Sequence, residues 1–268
     1  RSGSNDNNFI YKIYTLSGGS WDKIQTLTDD NAGVVIDGIL VTDIYENGSV
    51  DLSYDGSIIA LSHGLHDSGK GRARIFELNG TSYIQMGSDI LGSVNSMLGS
   101  GWNGISLTKN GKRIVIGLRN KFSNLDPFVR VYDWDGSAST PTWTQVGTDI
   151  SDPVGTDDSF GSSVSISSDG QTIIAGAPSG GGGTGPGRVS IFSYQLISGT
   201  ASWTYKATIA GSTNGDRFGY SSSINGNGDK IIVGAYDRDL ATQGYARLYS
   251  WDGTTASQIG SDIVGDTN

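Results

Sequence analysis

The chain has 268 residues, 41 of them glycine, no cysteine and a formal net charge of −9 at neutral pH. That length suits one large all-β domain, and glycine this frequent without a triplet period fits many turns and excludes a collagen-like rod. An acidic surface repels phosphate backbones, the lack of cysteine excludes disulfides and thiol chemistry, and no apolar run is long enough to cross a bilayer, so nucleic acid is set aside as a partner and no membrane span is expected.

Residues 1–8 are polar and read as a tag or disordered leader ahead of a single domain over 9–268. Two β-patterned runs follow, 9–16 and 21–27, and then a long connection over 29–48. That connection carries two apolar runs, 33–37 and 39–43, about Gly38, read as an extra hairpin.

From about residue 46 a single unit repeats. In its clearest copy, 162–167 alternates small or polar residues with Val164 and Ile166, the period-two pattern of a strand. Asp169-Gly170 makes a tight turn, 172–175 is apolar and β-branched, and Gly176-Ala177-Pro178 ends it, since proline cannot donate to a ladder. A glycine-rich loop over 179–187 leads to a third strand at 188–194 and a fourth at 203–209. The first-turn pair recurs as Asp55-Gly56, Asn110-Gly111, Asp169-Gly170 and Asn227-Gly228. The third strand recurs as Arg74-Ile75-Phe76, Arg130-Val131-Tyr132, Val189-Ser190-Ile191-Phe192 and Arg247-Leu248-Tyr249, and its neighbour as Trp21 to Ile24, Tyr83 to Met86, Trp143 to Val146 and Trp203 to Lys206.

A period of roughly sixty residues signals a propeller or an array, because a four-stranded sheet cannot bury both faces alone and copies must stack. The expected fold is therefore all-β: a β-propeller of four-stranded antiparallel blades, about five in view, four full and one half, or a fragment of a seven-bladed ring. The repeats run approximately over 9–28 (the half blade), 46–90, 101–150, 160–210 and 218–263.

Phe160-Gly161 at the start of one first strand, with Gly176-Ala177-Pro178 closing the second, resembles the FG-GAP repeat of integrin α-subunit heads and extracellular microbial proteins. Phe218-Gly219 with Gly234-Ala235-Tyr236 is the next best copy. Gly101-Trp102 with Gly117-Leu118-Arg119, and Glu46-Asn47 with Ser62-His63-Gly64, depart from the motif. The resemblance implies an extracellular or cell-surface adhesion propeller of seven blades, with calcium held between the first two strands of a blade.

The residues themselves do not supply that calcium loop, because a hard cation needs several convergent oxygens and these turns are short and poor in carboxylates. No metal or other cofactor is expected, and the four turns are read as plain hairpins. His63 and His66, the only histidines, are read as solvent-exposed loop residues. No Gly-x-Ser-x-Gly elbow is present, and the glycine-rich loop lacks the Lys-Ser/Thr of a phosphate loop. Asp89, Asp149 and Asp262, each in a Gly-Ser/Thr-Asp-Ile stretch, are read as caps for turn amides; Arg74, Arg130 and Arg247 as inter-blade partners of carboxylates; and Trp134, Trp143, Trp203 and Trp251 as packing between blades. Asn47-Gly48-Ser49 and Asn79-Gly80-Thr81 permit glycosylation, although such triplets arise by chance in an Asn/Gly/Ser-rich chain.

In a propeller the loops joining second to third strands share a face with the connections between blades, and here those segments are the variable ones. A constant scaffold with one diverging face is how loop-borne recognition is built. The expectation is a non-catalytic recognition or adhesion module that binds a protein or glycan through Asp67, Lys70, Arg119, Lys121, Asp126, Asp237, Arg238 and Asp239. Two alternatives stand beside it: a structural subunit that self-associates through the half blade, and a propeller hydrolase or lyase.

Overall fold

The computed structural model describes residues 10–17, 19–28, 48–93, 96–101, 103–118, 126–155, 159–178, 185–236 and 243–265. The leader over 1–8 and the hairpin expected over 33–43 lie outside them.

A two-stranded hairpin comes first, β1 (Ile10–Ser17) and β2 (Ser20–Thr28). The first blade has β3 (Val50–Leu52), β4 (Ile58–His63), a single helical turn α1 (His66–Gly69), β5 (Arg72–Asn79), β6 (Ser82–Gln85) and β7 (Ile90–Leu91). The second has β8 (Ile105–Leu107), β9 (Arg113–Leu118), β10 (Phe128–Asp135), β11 (Thr142–Gln145) and β12 (Ile150–Ser151). The third has β13 (Ser163–Ile166), β14 (Thr172–Ala177), β15 (Arg188–Ile197) and β16 (Thr200–Ala210), and the fourth has β17 (Ser221–Ile224), β18 (Lys230–Ala235), β19 (Tyr245–Trp251) and β20 (Ala256–Val264). Each full blade is an antiparallel meander in chain order, so the described chain is a β-propeller with four full blades and one half blade, as the repeat predicts.

The tight turns form as their chemistry dictates. Gly56, Gly111, Gly170 and Gly228 take φ of 66 to 73°. The side-chain oxygen of Asp55, Asn110 or Asp169 accepts the amide two residues on, at 3.0 Å in each case. This is an Asx turn closing the first hairpin of a blade. In the fourth blade Asn225 does the work instead, accepting the amides of Asp229 and Lys230.

Burial follows the blade stack. Ile58, Ala60 and Ile75 meet Ile105, Ile114 and Ile116 between the first two blades. Val115, Val129 and Val131 meet Phe160, Val164 and Ile173 between the second and third, and Ile174, Val189 and Ile191 meet Phe218, Ile231 and Val233 between the third and fourth. Alternate residues of one strand thus belong to different cores, because a blade buries both faces. The hairpin joins the series on the other side, where Ile13 packs on Ile59, Leu61, Phe76 and Tyr83, and Gln25 bonds both the amide and the carbonyl of Tyr83.

The aromatics behave as predicted. Trp143 and Trp203 each donate the indole N–H back to a carbonyl of the preceding blade, to Met86 at 3.0 Å and Val146 at 3.1 Å. Trp251 is buried between the third and fourth blades, and Trp134 packs beside Trp143 with ring centroids 5.4 Å apart.

Two expectations for the repeated charges are corrected. Arg130 forks onto Asp149 at 2.7 and 2.9 Å, and Arg247 onto Asp262 at 2.8 Å for both bonds, each within its own blade rather than between blades. Asp89, Asp149 and Asp262 therefore do not cap turn amides. Each accepts an arginine together with the glutamine four residues before it, Gln85, Gln145 or Gln258. The reason is local. Gly87, Gly147 and Gly260 take positive φ, which kinks the outer strand and swings the following aspartate toward the third strand. Among the described residues, pairs that do cross between blades are Arg188 with Asp152, their side chains buried, and Lys112 with Glu77 at 2.9 Å on the surface.

Candidate functional site

Three of the eight predicted contact residues lie among the described residues. Asp67 and Lys70 form an exposed ion pair of 2.6 Å across α1, and Asp126 is exposed just before β10. Arg119, Lys121, Asp237, Arg238 and Asp239 lie outside the described residues.

The turn carrying Asp67 and Lys70 holds more than the sequence reading assigned to it. His63 is the last residue of β4 and is buried, which corrects its placement as an exposed loop residue; the β4 pattern is apolar through Ile58–Leu61 and continues inward to its end. His66 opens α1 and is half-buried, and the two rings lie 6.1 Å apart at a tilt of 54°. Across the ladder His63 faces Arg72, also buried, which bonds Asp89 at 3.2 Å. The backbone here is tightly held. Asp67 takes φ +47° and Met97 φ +44°, and the amides of Met97 and Leu98 bond the carbonyls of Gly69 and Lys70. Chain folding therefore brings together two imidazoles, a lysine ammonium and an arginine–aspartate pair at the loop-bearing end of the first blade.

Electrostatics sharpen the setting. The bond from Lys70, with its charge, holds the Asp67 carboxyl below the usual carboxylate range. Nearer the propeller axis, burial raises the Asp51 carboxyl even though it accepts the amides of Leu107 at 2.7 Å and Leu52 at 2.8 Å. Asp51 ties the edge of the first blade's inner strand to that of the second, as Ser165 does for the third and fourth by accepting the amide of Ile224. Among the described residues, no group of three or more His, Cys, Asp or Glu side chains could hold a metal ion.

On the opposite, turn-bearing face, two concavities meet at Trp134. One, of about 280 Å³, is lined by Thr108, Asn110, Arg113, Asp133 and Gln171 among others. The other, of about 510 Å³, is lined by Glu77, Asn79, Ile84, Gln85, Met86 and Pro141. Arg113 forks onto Asp133 at 2.6 and 2.7 Å, donates to the carbonyl of Gly170 in the next blade at 2.7 Å and lies 4.8 Å from the ring centre of Tyr194. The sequence reading missed Arg113. It is not repeated in the other blades, so only its place after the Asn110-Gly111 turn could have marked it.

The fold and the two faces define a β-propeller with candidate binding surfaces at both ends. No protein-family model matches this chain, and no curated protein matches it. Among solved structures it is similar to a candidate 6-phosphogluconolactonase from Bacteroides uniformis ATCC 8492, at 15% identity and TM-score 0.52 over 81% of this chain and 55% of that one. It is also similar to a periplasmic gluconolactonase of Pseudomonas aeruginosa, at 15% identity and TM-score 0.52 over 96% of this chain and 69% of that one, and to the β-propeller domain of the Trilobed protease from Pyrococcus furiosus, at 13% identity and TM-score 0.43 over 81% and 59%. The chain thus spans about half the length of the first of these. At such identities the two likenesses with a TM-score of 0.52 show the fold alone.

One expectation is corrected here. The sequence expectation of a non-catalytic module is overturned, because the architecture is shared with proteins named as gluconolactonases, so the fold gives no ground for excluding an enzyme. Among the described residues, no helix is long and apolar enough to cross a membrane, which says nothing of strand barrels.

Proposed function

We propose that this propeller is a hydrolase that opens the activated carbonyl of a small, anionic, polyhydroxylated substrate, with a sugar lactone as the type, at the loop-bearing end of the first blade. The observation that carries the reading is the juxtaposition of the chain's only two histidines, 6.1 Å apart, on the turn that Lys70 closes. Water attack on an ester carbonyl needs a proton acceptor that works near neutrality and a cation facing the developing oxyanion. His66, half-buried, takes a proton from water. The water oxygen bonds to the carbonyl carbon, the ring C–O bond breaks, and the proton passes to the departing alkoxide. Lys70, released from Asp67, faces the oxyanion, and buried His63 positions His66. The names of the two lactonase-like neighbours support this chemistry on this architecture. The periplasmic neighbour supports a place outside the cytoplasm.

The test is lactone hydrolysis by the full chain, gluconolactone and its 6-phosphate included, beside His66→Gln, His63→Gln and Lys70→Met, with melting curves to show that each variant folds. Activity above the uncatalysed rate, lost at least a hundredfold in His66→Gln, is the expected result. No turnover, or turnover unchanged in His66→Gln, overturns the reading.

A second reading, recognition of a glycan or protein surface, draws its support from the groove at Trp134, an aromatic platform flanked by Glu77, Asn79 and Gln85. The FG-GAP reading of the repeat is supported by the packing of Phe218-Gly219 onto the third blade.

A further inference from the structure

We infer that the groove between the first two blades, on the turn-bearing face, is a binding site for a guanidinium group carried by a ligand. The inference is independent of the hydrolase reading, and it gives the groove at Trp134 a cationic occupant in place of a sugar.

The next groove along shows what such a site holds. Between the second and third blades Arg113 forks onto Asp133, donates to the carbonyl of Gly170 and stands over an aromatic pair, 4.8 Å from the ring centre of Tyr194 and 5.8 Å from that of Trp203. Strand register maps each of these positions onto the groove before it. Asp133, opposite Arg113, corresponds to Glu77, opposite Ile58. The cross-strand pair Tyr194 and Trp203 corresponds to Trp134 and Trp143, with ring centroids 5.5 Å apart in one and 5.4 Å in the other. Gly170 corresponds to Gly111, at φ +70° and +66°. The first groove thus keeps the acid, the aromatic pair and the turn, but a buried isoleucine stands at the place of the arginine.

The third groove shows that the acid is not simply part of the repeat. There Thr172 stands at the place of Arg113, and its register partner Ser193 at that of Asp133. Of the three grooves between full blades, the first alone has the carboxylate without the arginine.

Room and charge fit the same occupant. Glu77 and Trp134 both line the concavity of about 510 Å³. Lys112 bonds only Oε1 of Glu77, at 2.9 Å, and both side chains are partly exposed. Such a surface pair is weak, and a carboxylate accepts on both oxygens. A planar guanidinium can fork onto a carboxylate while lying against an indole, which a compact ammonium does less well. The net charge of −9 draws cations toward the chain.

The experiment is calorimetric titration of the full chain with methylguanidinium and with a blocked tripeptide carrying a central arginine, beside its citrulline counterpart, which keeps the shape and lacks the charge. The variants are Trp134→Ala, Glu77→Gln and Lys112→Met, with melting curves to show that each folds. Both guanidinium probes are expected to bind and the citrulline peptide to bind at least about tenfold more weakly, with similar losses in Trp134→Ala and Glu77→Gln. Lys112→Met removes the competing cation and tightens binding about threefold, a change that a merely structural role for Glu77 does not produce. Equal affinity for the two guanidinium probes marks the free group as sufficient, and a tighter arginine peptide marks a peptide as the source. Equal binding of arginine and citrulline, affinity unchanged in Trp134→Ala or Glu77→Gln, weaker binding in Lys112→Met, or binding of sugars with no binding of either guanidinium probe would each overturn the proposal.

Discussion

The carbonyl oxygen of Gly219 lies 2.2 Å from where a Cβ on Gly176 would stand, so the glycine that opens one repeat rests on the glycine that ends the second strand of the repeat before it. Gly219 itself takes φ +92°, and Phe218 beside it is fully buried among Ile174, Val189 and Ile191. Replacing Gly176 by alanine forces backbone apart from backbone and lowers stability by about 2–4 kcal/mol, whereas Gly234→Ala, which meets only a serine hydroxyl, costs less than about 1.5 kcal/mol. Urea unfolding of the two variants measures the difference.

Trp203→Phe and Trp143→Phe remove an N–H but keep most of the ring. Each leaves a carbonyl of the preceding blade, Val146 or Met86, without its donor. A loss of about 1–2 kcal/mol per variant is expected, with the larger loss at buried Trp143. Thermal melting of both variants beside the unmodified chain checks the order.

Asp51 and Asp55 are four residues apart and titrate on opposite sides of the ordinary aspartate value. Amide and hydroxyl bonds from Ser57, with a further bond from Ser53, lower Asp55 to about 2, whereas burial raises Asp51. The depressed group adds stability above the unfolded value near 4 and loses it as pH falls toward about 2; the raised group does the reverse, costing stability once ionised and giving it back as pH falls through its folded value. Carboxyl carbon shifts followed by NMR across the acid range would show the two midpoints, and equal midpoints would refute the assignment.

Arg130 and Gln145 hold the Asp149 carboxyl below its usual range, with the arginine bond the main cause. Its stabilisation is complete above about pH 4 and disappears as pH falls through the lowered folded value. Asp149 is partly exposed, so Asp149→Asn costs no more than about 1 kcal/mol at neutral pH and flattens the loss of stability in acid. Denaturant midpoints at pH 7 and pH 3 make the comparison.

Trp134→Ala empties the platform shared by both turn-face concavities. If that groove takes a sugar, affinity on a glycan panel falls at least tenfold in the variant, while His66→Gln leaves it unchanged. Calorimetric titration separates the two faces of the propeller.

The blade itself was legible in the sequence because each of its parts has local chemistry. Asn or Asp before glycine marks the hairpin, alternation marks the strand, and Gly176-Ala177-Pro178 marks its end. The corrected features are those in which partners are distant along the chain. Gln85, Asp89 and Arg72 come together only when the kink at Gly87 folds the outer strand onto the third, and nothing in the repeat distinguishes that arrangement from a capped turn. His63 reads as a loop residue because the repeat places it at a strand end, but β4 stays buried through its last residue.

Local sequence determined the all-β class, the roughly sixty-residue period and the antiparallel order, since turn geometry and side-chain alternation act between near neighbours. Tertiary structure alone decided which arginine serves which carboxylate, that two histidines share one end of the first blade, and that Arg113 lies over Tyr194 while Ile58 holds its place in the groove before Trp134. Those outcomes depend on stacking one sheet against another, and no residue's immediate neighbours in sequence encode what lies across that gap.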